Sequence, residues 1–159
     1  MTKYTRWFDK IPFNKKLYFA YGSNMNKEQM CFRCPKSQAV ATAQLPGYRF
    51  LINSRGVATI IPDNNLSVYG ILWVLSAVDE ATLDFYEGVK EKIYFKRDIK
   101  VKVANNEMTT LTYIANEMAP GVPREGYLER VIEGAQSFQA HQEWLQELES
   151  WSFSDINRK

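Results

Sequence analysis

A single histidine and two cysteines in 159 residues remove several kinds of chemistry from this chain. A Ser-His-Asp site needs an imidazole beside its serine. The lone His141 sits in Gln139-Ala140-His141-Gln142-Glu143, which reads as a solvated helix face, so hydrolysis of that kind is not expected. Cys31 and Cys34 fall in Cys-Phe-Arg-Cys-Pro, too close together to organise a secreted disulfide framework. As a zinc site the pair is half-built, because the next soft ligand, His141, lies more than a hundred residues away. A redox Cys-x-x-Cys opens a helix, whereas Pro35 marks a helix end, so both cysteines read as structural and no metal is expected.

Charge of one sign is also lacking. The chain carries 20 basic and 18 acidic residues, mixed along its length, for a net charge of +2. That balance leaves no electrostatic footprint for nucleic acid or an anionic membrane, so a small partner is expected. The longest apolar runs are far too short to span a bilayer, and the first fifteen residues contain no signal-peptide core, so the expected location is the cytoplasm. Neither Gly-x-x-x-x-Gly-Lys-Ser nor Gly-x-Gly-x-x-Gly occurs, and no nucleotide cofactor is expected. No internal repeat or low-complexity tract is present, and 45% hydrophobic content at this length suits one domain with its own core.

What is present begins with Leu17-Tyr18-Phe19-Ala20-Tyr21-Gly22-Ser23-Asn24, an apolar strand that stops at a turn and enters a helical pattern. Gly22 allows close approach, Ser23 and Asn24 suit turns and helix starts, and the backbone N–H groups there suit an anion or a developing oxyanion. Asn26 and Gln29 resemble a capping box opening a helix to about Arg33, which Pro35 closes. Gln38 to Leu45 alternates weakly, Pro46-Gly47 reads as a turn, and Tyr48 to Ile52 as a strand. Val57 to Ile61 and Val68 to Leu75 read as strands joined through the turn Pro62-Asp63-Asn64-Asn65 into a hairpin.

Asp79 is the expected cap of a short helix, Glu80 to Glu87, ending at Gly88 as a C′ glycine. Glu87 is then an acid at the negative end of a helix dipole, a local inconsistency of the sort that functional sites tolerate. Asp84 lies three residues before it, but two carboxylates on one helical turn cannot straddle a sugar, which argues against a glycosidase. Ile93 to Val103 alternates like a strand with one wet face, turns at Asn105-Asn106, and pairs with Thr109 to Ala115. Helical spacing follows over Gly126 to Phe138 and Ala140 to Trp151, with Leu128, Val131, Ile132 and Ala135 on one face and Trp144, Leu145, Leu148 and Trp151 on the next. The class is α+β, a small mixed, barrel-like β-sheet with flanking helices.

Four stretches together resemble the gamma-glutamylcyclotransferase family: Leu-Tyr-Phe-Ala-Tyr-Gly-Ser-Asn-Met at 17 to 25, Gly-Val-Ala-Thr-Ile-Ile-Pro at 56 to 62, Val-Tyr-Gly-Ile-Leu-Trp at 68 to 73, and Leu-Asp-Phe-Tyr-Glu-Gly-Val at 83 to 89 with Tyr94. The resemblance spans Lys16 to Leu148; with it, the chain divides into an N-terminal extension (1–15), a domain (16–151) and a C-terminal tail (152–159). It implies an avirulence-induced-gene-type fold that releases 5-oxoproline from a γ-glutamyl peptide or amine, without metal or cofactor. The substrate's α-amine attacks its own side-chain carbonyl, and one carboxylate moves both protons. The resemblance makes Glu87 that catalytic carboxylate, and Tyr21, Gly22, Ser23, Asn24, Tyr94, Tyr113 and Tyr127 the substrate-binding residues.

Taken alone, each of these tyrosines is an ordinary core or rim residue, Glu87 a solvated helix-end acid and Ser23 a turn former. The segment after Tyr113 is the expected lip on the leaving-group side, and carries no pattern that names that group. Glutathione, a γ-glutamyl amino acid, a γ-glutamylamine or a secondary-metabolite intermediate would all present the same head. The expected partner is such a small molecule, and the expected state a monomer or homodimer. The rival reading is a catalytically silent relative that binds a small ligand or serves as an interaction module.

Overall fold

The computed structural model describes residues 7–152. The first six residues of the expected N-terminal extension, and all of the expected tail after Ser152, lie outside the described residues. Trp7 and Phe8 lie in a short 3-10 turn, pack edge to face at 5.4 Å, and rest against the core, whereas Phe13 is fully exposed.

Five strands form a closed barrel in the order β1-β3-β2-β4-β5: β1 (Lys16–Ala20), β2 (Gln38–Ile52), β3 (Ala58–Leu75), β4 (Tyr94–Val103) and β5 (Asn106–Ala115). All pairings are antiparallel except β1 with β5, which run parallel at Tyr18 and Leu111. Two seams are thin. β2 meets β4 at Gln44 and Lys102, and the β1–β5 seam is reinforced by the Thr112 hydroxyl, which donates to the Phe19 carbonyl at 2.9 Å. The α+β, barrel-like architecture expected from the sequence is the one observed.

The strand boundaries differ from expectation in an instructive way. Pro46-Gly47 does not end a strand; β2 runs straight through it, with Gly47 at φ +84° in a register shift. Pro62 to Asn65 does not join a hairpin either. Pro46 pairs with Ser67 and Tyr48 with Pro62, so residues 63–66 bulge out of β3 opposite Gly47. The bulge uses turn chemistry, the Asn65 N–H donating to the Asp63 carboxylate at 3.0 Å, but the chain continues in the same direction. The true hairpin turns at Asn53 to Val57, where the Asn53 carboxamide accepts from the N–H groups of Arg55 and Val57.

Four helices lie on the barrel: α1 (Lys27–Arg33), α2 (Ala77–Tyr86), α3 (Tyr127–Ser137) and α4 (Gln142–Glu149). Asn26 caps α1 by accepting from the Gln29 N–H, but Gln29 does not reciprocate; its side chain turns back to Ser23 and Asn24. On α2 the cap is Ser76 rather than Asp79, with Ser76 and Asp79 bonding each other's backbone N–H in a complete capping box. The other end of α2 follows expectation: Gly88 has φ +64°, its N–H donates to Phe85, and the Val89 N–H reaches back to Asp84. That pair of bonds is a Schellman motif, and it leaves Glu87 as the helix C-cap. His141 is the exposed N-cap of α4 rather than part of a helix face, its Nδ1 accepting from the Trp144 N–H at 3.3 Å.

One buried core runs through the barrel and under the helices, including Phe19, Leu45, Ile60, Leu72, Val131 and Leu148. Gly70 sits where β1 and β3 press closest: a Cβ there would lie 2.3 Å from the Ala20 carbonyl and 2.7 Å from the Phe19 ring. Backbone cannot yield that much space. Gly70→Ala is expected to destabilise the fold by about 1–3 kcal/mol or more, read as a fall in the denaturant midpoint.

Candidate active site

All eight residues singled out from the sequence, Glu87 together with Tyr21, Gly22, Ser23, Asn24, Tyr94, Tyr113 and Tyr127, line one cavity of ≈ 510 Å3. They arrive from the loop after β1, the end of α2, the start of β4, the end of β5 and the start of α3.

Glu87 is placed by both termini of its helix environment. The Schellman turn fixes its backbone, and α2 is held against the sheet by Lys96 on β4, which pairs with Glu80 and with Asp84 at 3.1 Å. Lys16 on β1 adds a contact to Glu80 at 3.1 Å. The residue is half-buried because the cavity is open to water, yet its carboxyl group is densely surrounded by protein. Burial pushes its pKa up to about 7, opposed by the Arg33 guanidinium and by a hydrogen bond from the Asn24 carboxamide. Asp84 does not share the cavity; it accepts the Tyr113 hydroxyl at 2.7 Å and pairs with Lys96.

Asn24 is more than a turn former. Its Nδ2 donates to Glu87 Oε1 at 3.2 Å and to the Tyr18 hydroxyl at 3.0 Å, while its Oδ1 accepts from Gln29 Nε2 at 2.8 Å and from Arg33 at 3.0 Å. The loop around it enters a short 3-10 turn, Ser23–Met25, in which Met25 and Asn26 donate back to Gly22 and Ser23. The N–H groups of Gly22, Ser23 and Asn24 precede those bonds and have no acceptor within the turn. Gly22 does permit a close approach, but the group that comes close is Tyr127: a Cβ would sit 3.1 Å from its hydroxyl and 3.3 Å from Ala58 Cβ.

The tyrosines divide by where their hydroxyl protons go. Tyr21 donates to the Tyr113 carbonyl at 2.5 Å, Tyr94 to the Ala58 carbonyl at 2.6 Å, and Tyr113 to Asp84. Tyr127 instead accepts, from the Ala58 N–H at 3.0 Å, and lies against Ser23. Burial raises the pKa of all four, to about 12 for Tyr127, so all are neutral phenols at ordinary pH. Three commit their protons to a carbonyl or carboxylate, whereas the Tyr127 hydroxyl is shared between the Ala58 N–H and Ser23.

Sequence reasoning missed Tyr18, Gln29, Arg33, Arg55, Arg124 and Arg130, which also line the cavity. Gln29 and Arg33 stand four apart on α1 and meet Asn24 from one face, a spacing that could have revealed them. Tyr18 lies in the opening motif and stacks edge to face on Tyr113 at 5.6 Å. Among the described residues no cluster of three or more metal-ligating side chains occurs, and no helix is long and apolar enough to cross a membrane. Cys34 is buried with its Sγ toward the Asp79 carbonyl, and Cys31 is exposed.

Comparison with known proteins adds an independent line. Residues 67–148 match the model of the AIG2-like family. A mouse protein named gamma-glutamylcyclotransferase is 28% identical over 145 residues, covering 84% of this chain and 77% of that protein. The human protein of the same name is 27% identical over 154 residues, covering 90% and 82%. A solved structure titled gamma-glutamyl cyclotransferase superposes with a TM-score of 0.82 at 26% identity, covering 91% of this chain and 92% of that one. YkqA from Bacillus subtilis shares the fold at a TM-score of 0.76 and 22% identity, over 87% of this chain and 54% of its own. With more than half its length matched by the family model and its barrel shared with these structures, the chain belongs to the AIG2-like family and has the gamma-glutamylcyclotransferase fold.

Proposed function

We propose that this protein is a gamma-glutamylcyclotransferase-type enzyme that releases 5-oxoproline from a γ-glutamyl compound. The observation that carries the reading is the Glu87 carboxylate, set in a cavity rich in hydrogen-bonding groups, with a pKa near 7. The relatives' names point the same way.

The reaction needs a base and then an acid at one place. The Glu87 carboxylate takes a proton from the substrate's α-ammonium, freeing the amine to attack the γ-carbonyl carbon. A C–N bond forms, the five-membered ring closes and the carbonyl oxygen becomes an oxyanion. The Glu87 carboxylic acid then returns the proton to the departing nitrogen as the original amide bond breaks. A pKa near the working pH makes one group competent in both steps. Asn24 holds Oε1 and leaves Oε2 for the substrate. The Gly22 and Asn24 N–H groups, beside the contact of Ser23 with the Tyr127 hydroxyl, are the donors available to the oxyanion or to the glutamyl carboxylate. Tyr21, Tyr94 and Tyr113 wall the head group and fix it in the bent conformer that cyclisation requires.

The alternative of a silent binding protein leaves the raised pKa of Glu87 without a use. Incubating the protein with a panel of γ-glutamyl peptides, amino acids and amines is expected to yield 5-oxoproline by mass spectrometry. Glu87→Gln is expected to lower kcat by about 10²–10⁴-fold while retaining substrate binding. Binding without product across the panel would favour the silent protein.

The acid limb of kcat/KM is expected at about pH 7, because the free enzyme must present the ionised carboxylate. Asn24→Ala, which removes a donor to the charged form, is expected to move that limb to higher pH.

Stability carries the same signature. The Glu87 pKa is raised from an ordinary 4.5 to about 7, so its contribution is complete below about pH 4.5 and is lost as pH rises through about 7. Glu87→Gln is therefore expected to raise the Tm relative to the parent at pH 8 by more than at pH 5.

A further inference from the structure

The border of the cavity holds four arginines, Arg33, Arg55, Arg124 and Arg130, against two acids, Glu87 and Glu125. The chain as a whole is nearly balanced, 20 basic to 18 acidic, so this excess is local. Among the described residues none of the four makes an ion pair. Arg55 helps to hold the Glu117 carboxyl below its usual range, after the Ala119 N–H, which donates to it at 2.9 Å. Arg130 donates to the neutral Gln29 at 3.1 Å, and Arg33 divides between Asn24 and the face of Tyr86, 4.5 Å from the ring centroid.

Backbone hydrogen bonds bring Arg124 against the Arg55 turn at the cavity mouth. The lip after β5 is laced to the β2–β3 turn: Asn53 donates to the Glu117 carbonyl at 3.0 Å, Gly121 N–H to Ile52 at 2.9 Å, and Arg124 N–H to Gly56 at 3.0 Å. Arg124 Nε then donates to the Arg55 carbonyl at 2.7 Å, which leaves the terminal nitrogens of Arg124 for a ligand. Gly56, at φ +80°, lets the Arg124 stem lie flat on the turn; a Cβ would be 2.7 Å from Arg124 Cγ. Among the described residues neither Arg55 nor Arg124 is in an ion pair, and with Glu117 and Glu125 the acids beside them, the local surplus of positive charge suits an anionic ligand.

We propose that the leaving half of the substrate is an acidic amino acid or acidic peptide carrying two or more carboxylates. The inference rests on the γ-glutamyl reading above and specifies what stands beyond the scissile bond. The four arginines exceed Glu87 and Glu125 by two charges, and the glutamyl head, with one α-ammonium and one α-carboxylate, adds none. A neutral amine would leave both charges unmatched, and a simple amino acid one. A dicarboxylate leaving group supplies two charges for Arg55, Arg124 and Arg130, which line the same cavity.

The test compares γ-glutamyl-glutamate with γ-glutamyl-glutamine, its neutral near-isostere, and γ-glutamyl-alanine, by 5-oxoproline release from the full chain. The acidic dipeptide is expected to have kcat/KM about tenfold or more above the amide, an advantage that shrinks at about 0.5 M salt. Arg124→Gln and Arg55→Gln are expected to narrow that ratio several-fold, while Lys102→Gln, outside this cavity, leaves it unchanged. Equal kcat/KM for γ-glutamyl-glutamate and γ-glutamyl-glutamine, or variants that slow both alike, would overturn the acidic leaving group while leaving γ-glutamyl cyclisation intact. No product from any of the three would overturn both.

Discussion

The Asn24 carboxamide is the joint of the site. Its two donors and its acceptor oxygen are fully used, by Glu87 and Tyr18 on one side and by Gln29 and Arg33 on the other. It therefore ties β1, α1 and the end of α2 into one network around a carboxylate that would otherwise be expensive to hold there. The balance is graded. Burial works against the charge, one amide hydrogen bond and one guanidinium work for it, and the outcome is an acid poised near neutrality rather than a fixed anion or a permanently protonated group. An ion pair in direct contact would have pulled the pKa back into the ordinary range.

The arrangement of the tyrosines follows from the same economy. A cavity lined with phenols offers many hydroxyl groups, but those of Tyr21, Tyr94 and Tyr113 are bound to a carbonyl or carboxylate of the protein itself. Their bonds to Tyr113, Ala58 and Asp84 stiffen the walls. Ala58 is gripped from both sides, its carbonyl by Tyr94 and its N–H by Tyr127, so the start of β3 and the start of α3 are fixed relative to each other at the cavity. Rigidity of this kind suits a reaction whose two partners already belong to one molecule and need only be folded together.

Much of this was legible in the sequence because it rests on local rules. The glycine after Glu87, the Asn26 cap and the amphipathic faces of α3 and α4 are visible in short windows. The family resemblance brought Glu87 together with its tyrosines, which no periodicity could do across ninety residues of separation between Tyr21 and Tyr113. The failures were also physical. Pro62 to Asn65 has the composition of a turn and the Asx hydrogen bond of a turn, but a bulge opposite Gly47 uses the same chemistry without reversing the chain. The arginines escaped notice because Arg55 and Arg124 are brought side by side by loop-to-turn hydrogen bonds, a tertiary event with no sequence period.

The distribution of the cavity over the barrel has a consequence for the birth of the molecule. Its wall is assembled from Tyr18 on β1 through to Arg130 on α3, with parts of α1, α2, β4 and β5 between them. On the ribosome, Glu87 is synthesised well before the phenol that faces it. Until α3 docks, the wall that Tyr127 contributes is missing from around the acid. Glu87 is therefore made before the enclosure that tunes it, and competence waits on the docking of α3.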